Sequence, residues 1–301
     1  MPSPSPSPSP SPRMNTEQLV ELSVIGEVSS PSFASTTPYR IGYDGIPRVL
    51  AVSGGITYNV RVGDKACGWA GDHVEPCVSV RNPDERQSGA LNVLSTVGNT
   101  ARLVSGDAKG GEGTVTGKHG GIEHVMVDFP DDVLNKMVIG DRMQIRAYGV
   151  GLRFLDYPEV RVMGLNPQFV EAWGIADRDG TLTVPVAKRV PAGIMGSGLG
   201  RDNGFRGDYD ITLFDPETVA QYDLASLRLG DLVAIENADS TFGRYYRTGA
   251  VTIGIIAHAD SYLAGHGPGV TCLLSSKAGE ITPILSDIAN IADILKIGTR
   301  R

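Results

Sequence analysis

The chain has 301 residues, 41% of them hydrophobic and 20% charged, with a formal charge of −7. That length is about two domains, and the apolar content is enough for a full core. The acidic balance excludes nucleic acid as the main partner, because neutralising phosphates needs clustered Lys and Arg, and no apolar run is long enough to span a bilayer. The expected partner is therefore a small molecule, with neither nucleic acid nor membrane involved.

The chain begins MPSPSPSPSPSPR. Alternating Pro and Ser cannot build a core and favours extended, solvated backbone. It lacks the apolar stretch of a secretory signal. Residues 1–13 are expected to lie outside the fold, and Met14 is a second candidate start. Three cysteines, Cys67, Cys77 and Cys272, include no C-x-x-C pair. They suit buried free thiols in a reducing, cytoplasmic compartment.

From Met14 on, 38 glycines and 19 prolines punctuate short apolar runs, the pattern of a mainly β protein. Strands are predicted over 20–28, 48–53, 57–62, 78–80, 101–104, 124–129 and 143–147. Further strands are predicted over 160–163, 181–186, 232–236, 251–257 and 270–274. These divide into two β-rich, barrel- or sandwich-like halves, 14–157 and 158–301, with short helices. Asn166-Pro167 caps one helix, which Gly174 ends. Thr282-Pro283 is read as the start of a C-terminal amphipathic helix. Its apolar stripe, Ile281, Ile284, Leu285, Ile288, Ile291, Ala292 and Leu295, runs to Gly298. The stripe buries against the domain or against a second copy in a homo-oligomer.

Two stretches share an order of elements: HVMVDFPDDVLNKMVIGDRMQIRA and YDITLFDPETVAQYDLASLRLGDLVAIEN. Each runs strand, Phe (129 or 214), acidic-proline helix start, apolar-Gly-Asp (140–141 or 230–231), strand. A third apolar-Gly-Asp stands at 62–64. Duplication of a β-rich unit and a merely common turn both account for this.

Two glycine motifs fail as nucleotide fingerprints. MGSGLGRDNG has the spacing G-x-G-x-G and leads into a loop, where a dinucleotide needs a helix N-terminus. GEGTVTGKHGG misses P-loop spacing by one residue and puts His119 where a magnesium-binding Ser or Thr belongs. Backbone amides can still hold an anion, so Gly196, Gly198, Gly200 and Arg201 are kept as cofactor-binding candidates.

The five histidines each have a carboxylate or another histidine a few residues away. GDHVEP holds Asp72, His73 and Glu75; GKHGGIEHV holds His119, Glu123 and His124; GDYDI holds Asp208 and Asp210. The stretch TIGIIAHADSYLAGHGPGVT holds His258, Asp260 and His266. Residues i and i+2 of a strand share a face, so His73 with Glu75, Asp208 with Asp210, and His258 with Asp260 would each point together if those stretches are extended. Imidazole with carboxylate suits zinc, iron or manganese, and the same groups serve acid–base chemistry. His258 is the strongest candidate because it ends a seven-residue apolar run, where a cleft forms over a packed sheet. His258, Asp260 and His266 are the candidate catalytic residues. His119, His124, Asp208 and Asp210 are the candidate ligands of a divalent ion. Structural readings stand beside these: His73 as a half-buried histidine bonded to Glu75, Asp208 as a turn residue after Gly207, and His266 as a polar loop tip. Arg244 and Arg247 around two tyrosines, and Arg201 and Arg206 around GDYD, read either as anion-binding groups or as solvated loop residues.

GDHVEP, GTVTGKHGGIEHV, MGSGLG, GDYDI and GAVTIGIIAHADSYLAGHGPGVT resemble the uncharacterised family called domain of unknown function 4438. The resemblance covers nearly everything after Met14. It implies a β-rich, two-part fold and no established activity. A fainter similarity, at class level, is to the acetamidase and formamidase amide hydrolases, through the apolar-Gly-Asp turns at Asp141 and Asp231. Two functions remain open: a metal-assisted hydrolase of a small, polar, amide-like substrate, or a non-catalytic module that binds a small anionic metabolite.

Overall fold

The structure is a computed structural model that describes residues 11–33, 37–197 and 204–300. It is mainly β. Six antiparallel strands close into a barrel in the order Leu22–Val28, Arg142–Ala147, Thr100–Leu103, Glu112–His119, His124–Asp128 and Cys77–Arg81. The last pairs back to the first through Glu27 with Arg81 and Val28 with Val80. Closure leaves the barrel no open edge except where Ile56–Thr57 adds to Cys77–Arg81. Alternation fills the interior. In Arg142–Ala147, Met143, Ile145 and Ala147 are buried while the residues between them are exposed.

The second half centres on a sheet in the order Arg161–Val162, Gly269–Ser276, Tyr245–His258, Leu232–Asp239 and Lys188–Pro191, with Asp208–Asp210 also paired to Gly269–Ser276. Residues 252–258 are all buried, as an apolar run covered on both faces requires. A three-stranded sheet, Ala176–Arg178, Thr181–Val186 and Ile281–Leu285, completes this half. The halves share core. Val62 and Val97 from the first chain segment pack in one buried cluster with Phe169, Leu232 and Ile253.

The apolar-Gly-Asp turns are one device used three times. Gly63, Gly140 and Gly230 have φ of 94°, 87° and 84°, where only glycine is unstrained. Each following Asp accepts a hydrogen bond from the backbone N–H three residues earlier: Asp64 from Arg61, Asp141 from Val138, Asp231 from Arg228. In both repeat stretches strand, short helix and strand follow in order, with helices Asp131–Leu134 and Pro216–Gln221.

Several expectations are corrected. The runs at 48–53 and 57–62 hold only the short strands Pro47–Arg48 and Ile56–Thr57. Left-handed Gly54 and Gly55 break the ladder there, and Val60 and Val62 are buried as loop residues against the second half. GEGTVTGKH is the strand Glu112–His119. A helix at Glu85–Leu94, capped by Asp84, had little periodicity to announce it.

The C-terminal helix is present but short, Ile291–Leu295 with Asn290 as its cap. The residues read as its start form the edge strand Ile281–Leu285, parallel to Thr181–Val186. Pro283 lacks an N–H and is tolerated on an edge. Asn290 fixes the later start by donating to Asp231 and to the Leu229 carbonyl. The apolar stripe is therefore split: Ile291 and Ala292 are buried, whereas Leu285 and Ile288 are exposed.

At the N-terminus, residues 1–10 lie outside the described residues. Arg13 does not follow the rest of the Pro-Ser stretch. It forks onto Asp156, at 2.6 and 3.0 Å. No described helix is long and apolar enough to cross a membrane.

Candidate functional site

Three neighbouring strands build the floor. Asp210 and His258 lie in register on either side of Gly269. A Cβ at Gly269 would stand 2.1 Å from His258 Nε2 and 2.2 Å from Asp208 Oδ2. Only glycine leaves that space free. Two residue pairs further on, Thr271 opposes Asp208. Its hydroxyl bonds both the N–H and the C=O of Lys118, at 2.9 and 3.0 Å. This ties the barrel strand Glu112–His119 to the second sheet and sets His119 against His258, ring centroids 4.2 Å apart. The Gly120 N–H then donates to Asp208 Oδ1 at 2.7 Å.

His73 arrives from a loop, with φ 53°. Its N–H donates to the Asp260 carbonyl and its carbonyl accepts from Ser53. His266 arrives on the glycine loop before Gly269. Two ligand-like groups result: His73, Asp210 and His266, and, deeper, His119, Asp208 and His258. In the outer group, His266 Nδ1 is 2.9 Å from Asp210 Oδ2 and 3.0 Å from His73 Nε2, and His73 Nε2 is 3.8 Å from Asp210 Oδ2. A tetrahedral ion with bonds of about 2.0–2.1 Å holds its ligands about 3.3 Å apart. The observed spacings bracket that value.

The far sides of three of the four imidazoles, those of His119, His258 and His73, are fixed. His119 Nδ1 donates to Glu75 Oε1 at 2.5 Å, and His258 Nδ1 donates to the Ala259 carbonyl at 2.8 Å. His73 Nδ1 is 3.3 Å from Asp72 Oδ1. A carboxylate or carbonyl behind each ring is what orients metal-binding histidines and bares their other nitrogen. Glu75, 1% exposed, also receives His124 Nδ1, the Gly54 N–H and the Ser79 hydroxyl.

Charge is unbalanced here. Asp72, Glu75, Asp208 and Asp210 are all buried. Among the described residues, the ion-pair partners of the last three are histidines, and Arg40 sits 3.4 Å from Asp72. His258 Nε2 and Asp208 Oδ2 are 2.7 Å apart, yet neither has a hydrogen-bond partner. Burial opposes a charge on His258, but Asp208 and Asp210 outweigh it and push its pKa up to about 9. Burial likewise raises the carboxyl of Glu75, but His124 and His119 overcome this and hold it well below its usual range. Burial lowers His119, with His258 nearby adding to the effect. The pocket thus asks for positive charge, met by a proton on His258 or by a cation.

The group faces a cavity of about 300 Å³ lined by Arg40, Ser53, His73, His119, Ile122 and His266, the lower end of small-ligand pockets. His258, Asp208 and Asp210 lie behind that lining.

The structure gathers His119, Asp208, Asp210, His258 and His266 from the candidates. Asp260 is not among them. The strand Tyr245–His258 ends at His258, so the i, i+2 rule stops applying, and Asp260 instead accepts from the Gly68 N–H. His124 is cross-strand neighbour to His119 but lies behind Glu75. The Gly196 N–H bonds the Asp210 carbonyl and so positions a site residue; Gly198, Gly200 and Arg201 lie outside the described residues. Arg244 caps the Met195 and Gly196 carbonyls, and Arg206 pairs with Glu123. His73 is a member of the outer group and touches neither oxygen of Glu75. The clue in GDHVEP was Asp72 beside it. Arg40 and Gly269 carried no sequence signal.

Family models for a domain of unknown function, DUF4438, match residues 39–171 with their N-terminal part and 172–295 with their C-terminal part. The chain belongs to this family. It is also similar to the solved crystal structure of TM1086, at 46% identity and a TM-score of 0.88 over 93% of this chain and 98% of that one. No curated protein matches.

Proposed function

We propose that this DUF4438 member is a metal-assisted hydrolase of a small, polar, amide-like substrate. The observation that carries this is the bare, buried Nε2 of His258 facing Asp208 Oδ2, unpartnered, in a pocket of four carboxylates. A buried imidazole nitrogen and carboxylate oxygen without a hydrogen bond between them are costly unless a proton or a metal ion joins them, and we take the ion as the native occupant. The donor set, imidazole nitrogens and carboxylates with fixed far sides, fits zinc, iron or manganese. A divalent ion there supplies a lowered water pKa and a polarised carbonyl.

The chain's own groups supply the rest. Glu75 and the Ala259 carbonyl hold His119 and His258 in the tautomers that present Nε2. Arg40, at the cavity mouth, offers a guanidinium to a substrate oxygen. The cavity volume limits the substrate to a small molecule. The amide class draws on the similarity of the Gly-Asp turns to those of the amide hydrolases. Three free cysteines favour a reducing compartment such as the cytoplasm. The other reading, a site for an anionic metabolite, is disfavoured by the four carboxylates, which would repel the ligand.

Elemental analysis of untagged protein tests the reading, paired with ammonia release from formamide, acetamide and propionamide. The expected result is a bound divalent ion, and turnover that EDTA abolishes and metal restores. Protein that holds no zinc, manganese or iron after incubation overturns the metal. Metal-loaded protein that releases no ammonia overturns the amide hydrolase.

A further inference from the structure

Asp210 sits between the two ligand groups and turns one oxygen to each. Its Oδ2 lies 2.9 Å from His266 Nδ1, in the outer group, and its Oδ1 lies 3.6 Å from His258 Nε2, in the inner one. The ring of His73 is 5.2 Å from that of His258, so the groups adjoin. We propose that the site binds two divalent ions bridged by Asp210: an inner ion on His119, Asp208 and His258, and an outer ion on His73, His266 and Asp210. This rests on the metal reading above but not on its amide chemistry.

Three observations bear on the pair. Carboxylate-bridged ions about 3.5–4 Å apart are a recurring hydrolytic arrangement, and a carboxylate with one oxygen in each group is its bridging element. The charge count allows a second ion: with Arg40, two divalent ions exceed the charge of Asp72, Glu75, Asp208 and Asp210 by one, as a single ion falls short of it by one. A single ion leaves an excess of buried negative charge that Arg40 alone does not cancel. The third is the unpartnered pair at the inner group, His258 Nε2 and Asp208 Oδ2, in residues 0% and 5% exposed.

The two sites differ in access. All three inner ligands are buried, and His119 alone of them lines the cavity. The outer group has His73 and His266 on the cavity wall, and the His266 side chain is 35% exposed. The inner ion is therefore the tight, slowly exchanging one. The outer ion is the exchangeable one and meets the substrate.

The test is reloading of EDTA-stripped, untagged protein with Mn²⁺, read by elemental analysis and by electron paramagnetic resonance. Two equivalents are expected, the second at least tenfold weaker, with the spectrum changing from an isolated ion to an exchange-coupled pair as the second enters. His266→Ala, at a partly exposed position, is expected to keep one tight equivalent and lose the coupled signal. Asp210→Asn is expected to abolish coupling and weaken the second equivalent at least tenfold, with circular dichroism confirming that it folds. Saturation at one equivalent, or a coupled signal that survives both substitutions, overturns the pair. A coupled pair in protein inert towards amides leaves this inference standing and removes the amide reading; amide turnover at one equivalent does the opposite.

Discussion

Two of the places where this molecule buries carboxylates do so differently. At one end of the barrel, Arg61 forks onto Asp128, at 2.8 and 2.9 Å, and reaches Asp131 at 2.5 Å. Donors and acceptors match there, and the guanidinium is held charged above its ordinary range despite the cost of burial. At the other place, Asp72, Glu75, Asp208 and Asp210 face five histidines and one arginine, and two inner atoms remain unpartnered. The first is a closed ion pair that serves the fold. The second gathers four carboxylates around histidines and leaves two of its atoms without a hydrogen bond, which a proton on His258 or the proposed ion would answer. The difference teaches that burial of charge does not by itself mark a functional site. What singles out the proposed site is a pair of buried atoms left without a hydrogen bond.

The contrast can be broken at either end. Arg61→Met should have the largest effect on stability, about 3–5 kcal/mol, because it leaves buried Asp128 with only the Gly298 N–H and no counter-charge. Urea unfolding at neutral pH measures this, and metal content should not change. A loss under 1 kcal/mol would show that the pair is not structural.

Gly269→Ala places a methyl in front of His258 Nε2 and Asp208 Oδ2. It should cost about 1–3 kcal/mol through overpacking and should remove the inner ion as well. Unaltered metal content would show that the space beside Gly269 is not where ligands converge.

Asp208→Asn sharpens the comparison further. An amide N–H can donate to His258 Nε2 once that ring gives up its proton, so the metal-free protein should lose less stability than Arg61→Met does, yet its metal affinity should fall at least tenfold. A loss of stability as large as that of Arg61→Met would make both places structural.

Smallest of all, Ile288→Asp at a 70% exposed position should stay within about 0.5 kcal/mol. A larger shift in the melting curve, or a change of size on gel filtration, would show that the exposed stripe Ile284, Leu285 and Ile288 is covered by another copy.

That stripe shows where sequence reading stops. Apolar residues at 281, 284, 285 and 288 fit a helix, and local periodicity cannot see that Thr181–Val186 offers an edge to pair with. The Gly-Asp turns were legible because their chemistry is local: a left-handed glycine and an Asp bonding three residues back need no distant partner. His258 was legible for a related reason. An apolar strand can end only where it leaves the sheet, and the first polar residue there overlooks whatever lies above it. Asp208 and Asp210 share a face by strand alternation, but it is pairing with Gly269–Thr271 that makes the stretch a strand.

The sequence by itself determined the β-rich halves, the turns, the end of the buried strand and the five histidines with acids beside them. Only the tertiary structure decided that Thr271 ties Lys118 across the two halves, that Gly269 keeps the floor open, and that Glu75 orients His119 rather than His73. These facts join residues up to 193 positions apart, such as His73 and His266. Their proximity depends on strand order and barrel closure, which no local pattern of spacing encodes.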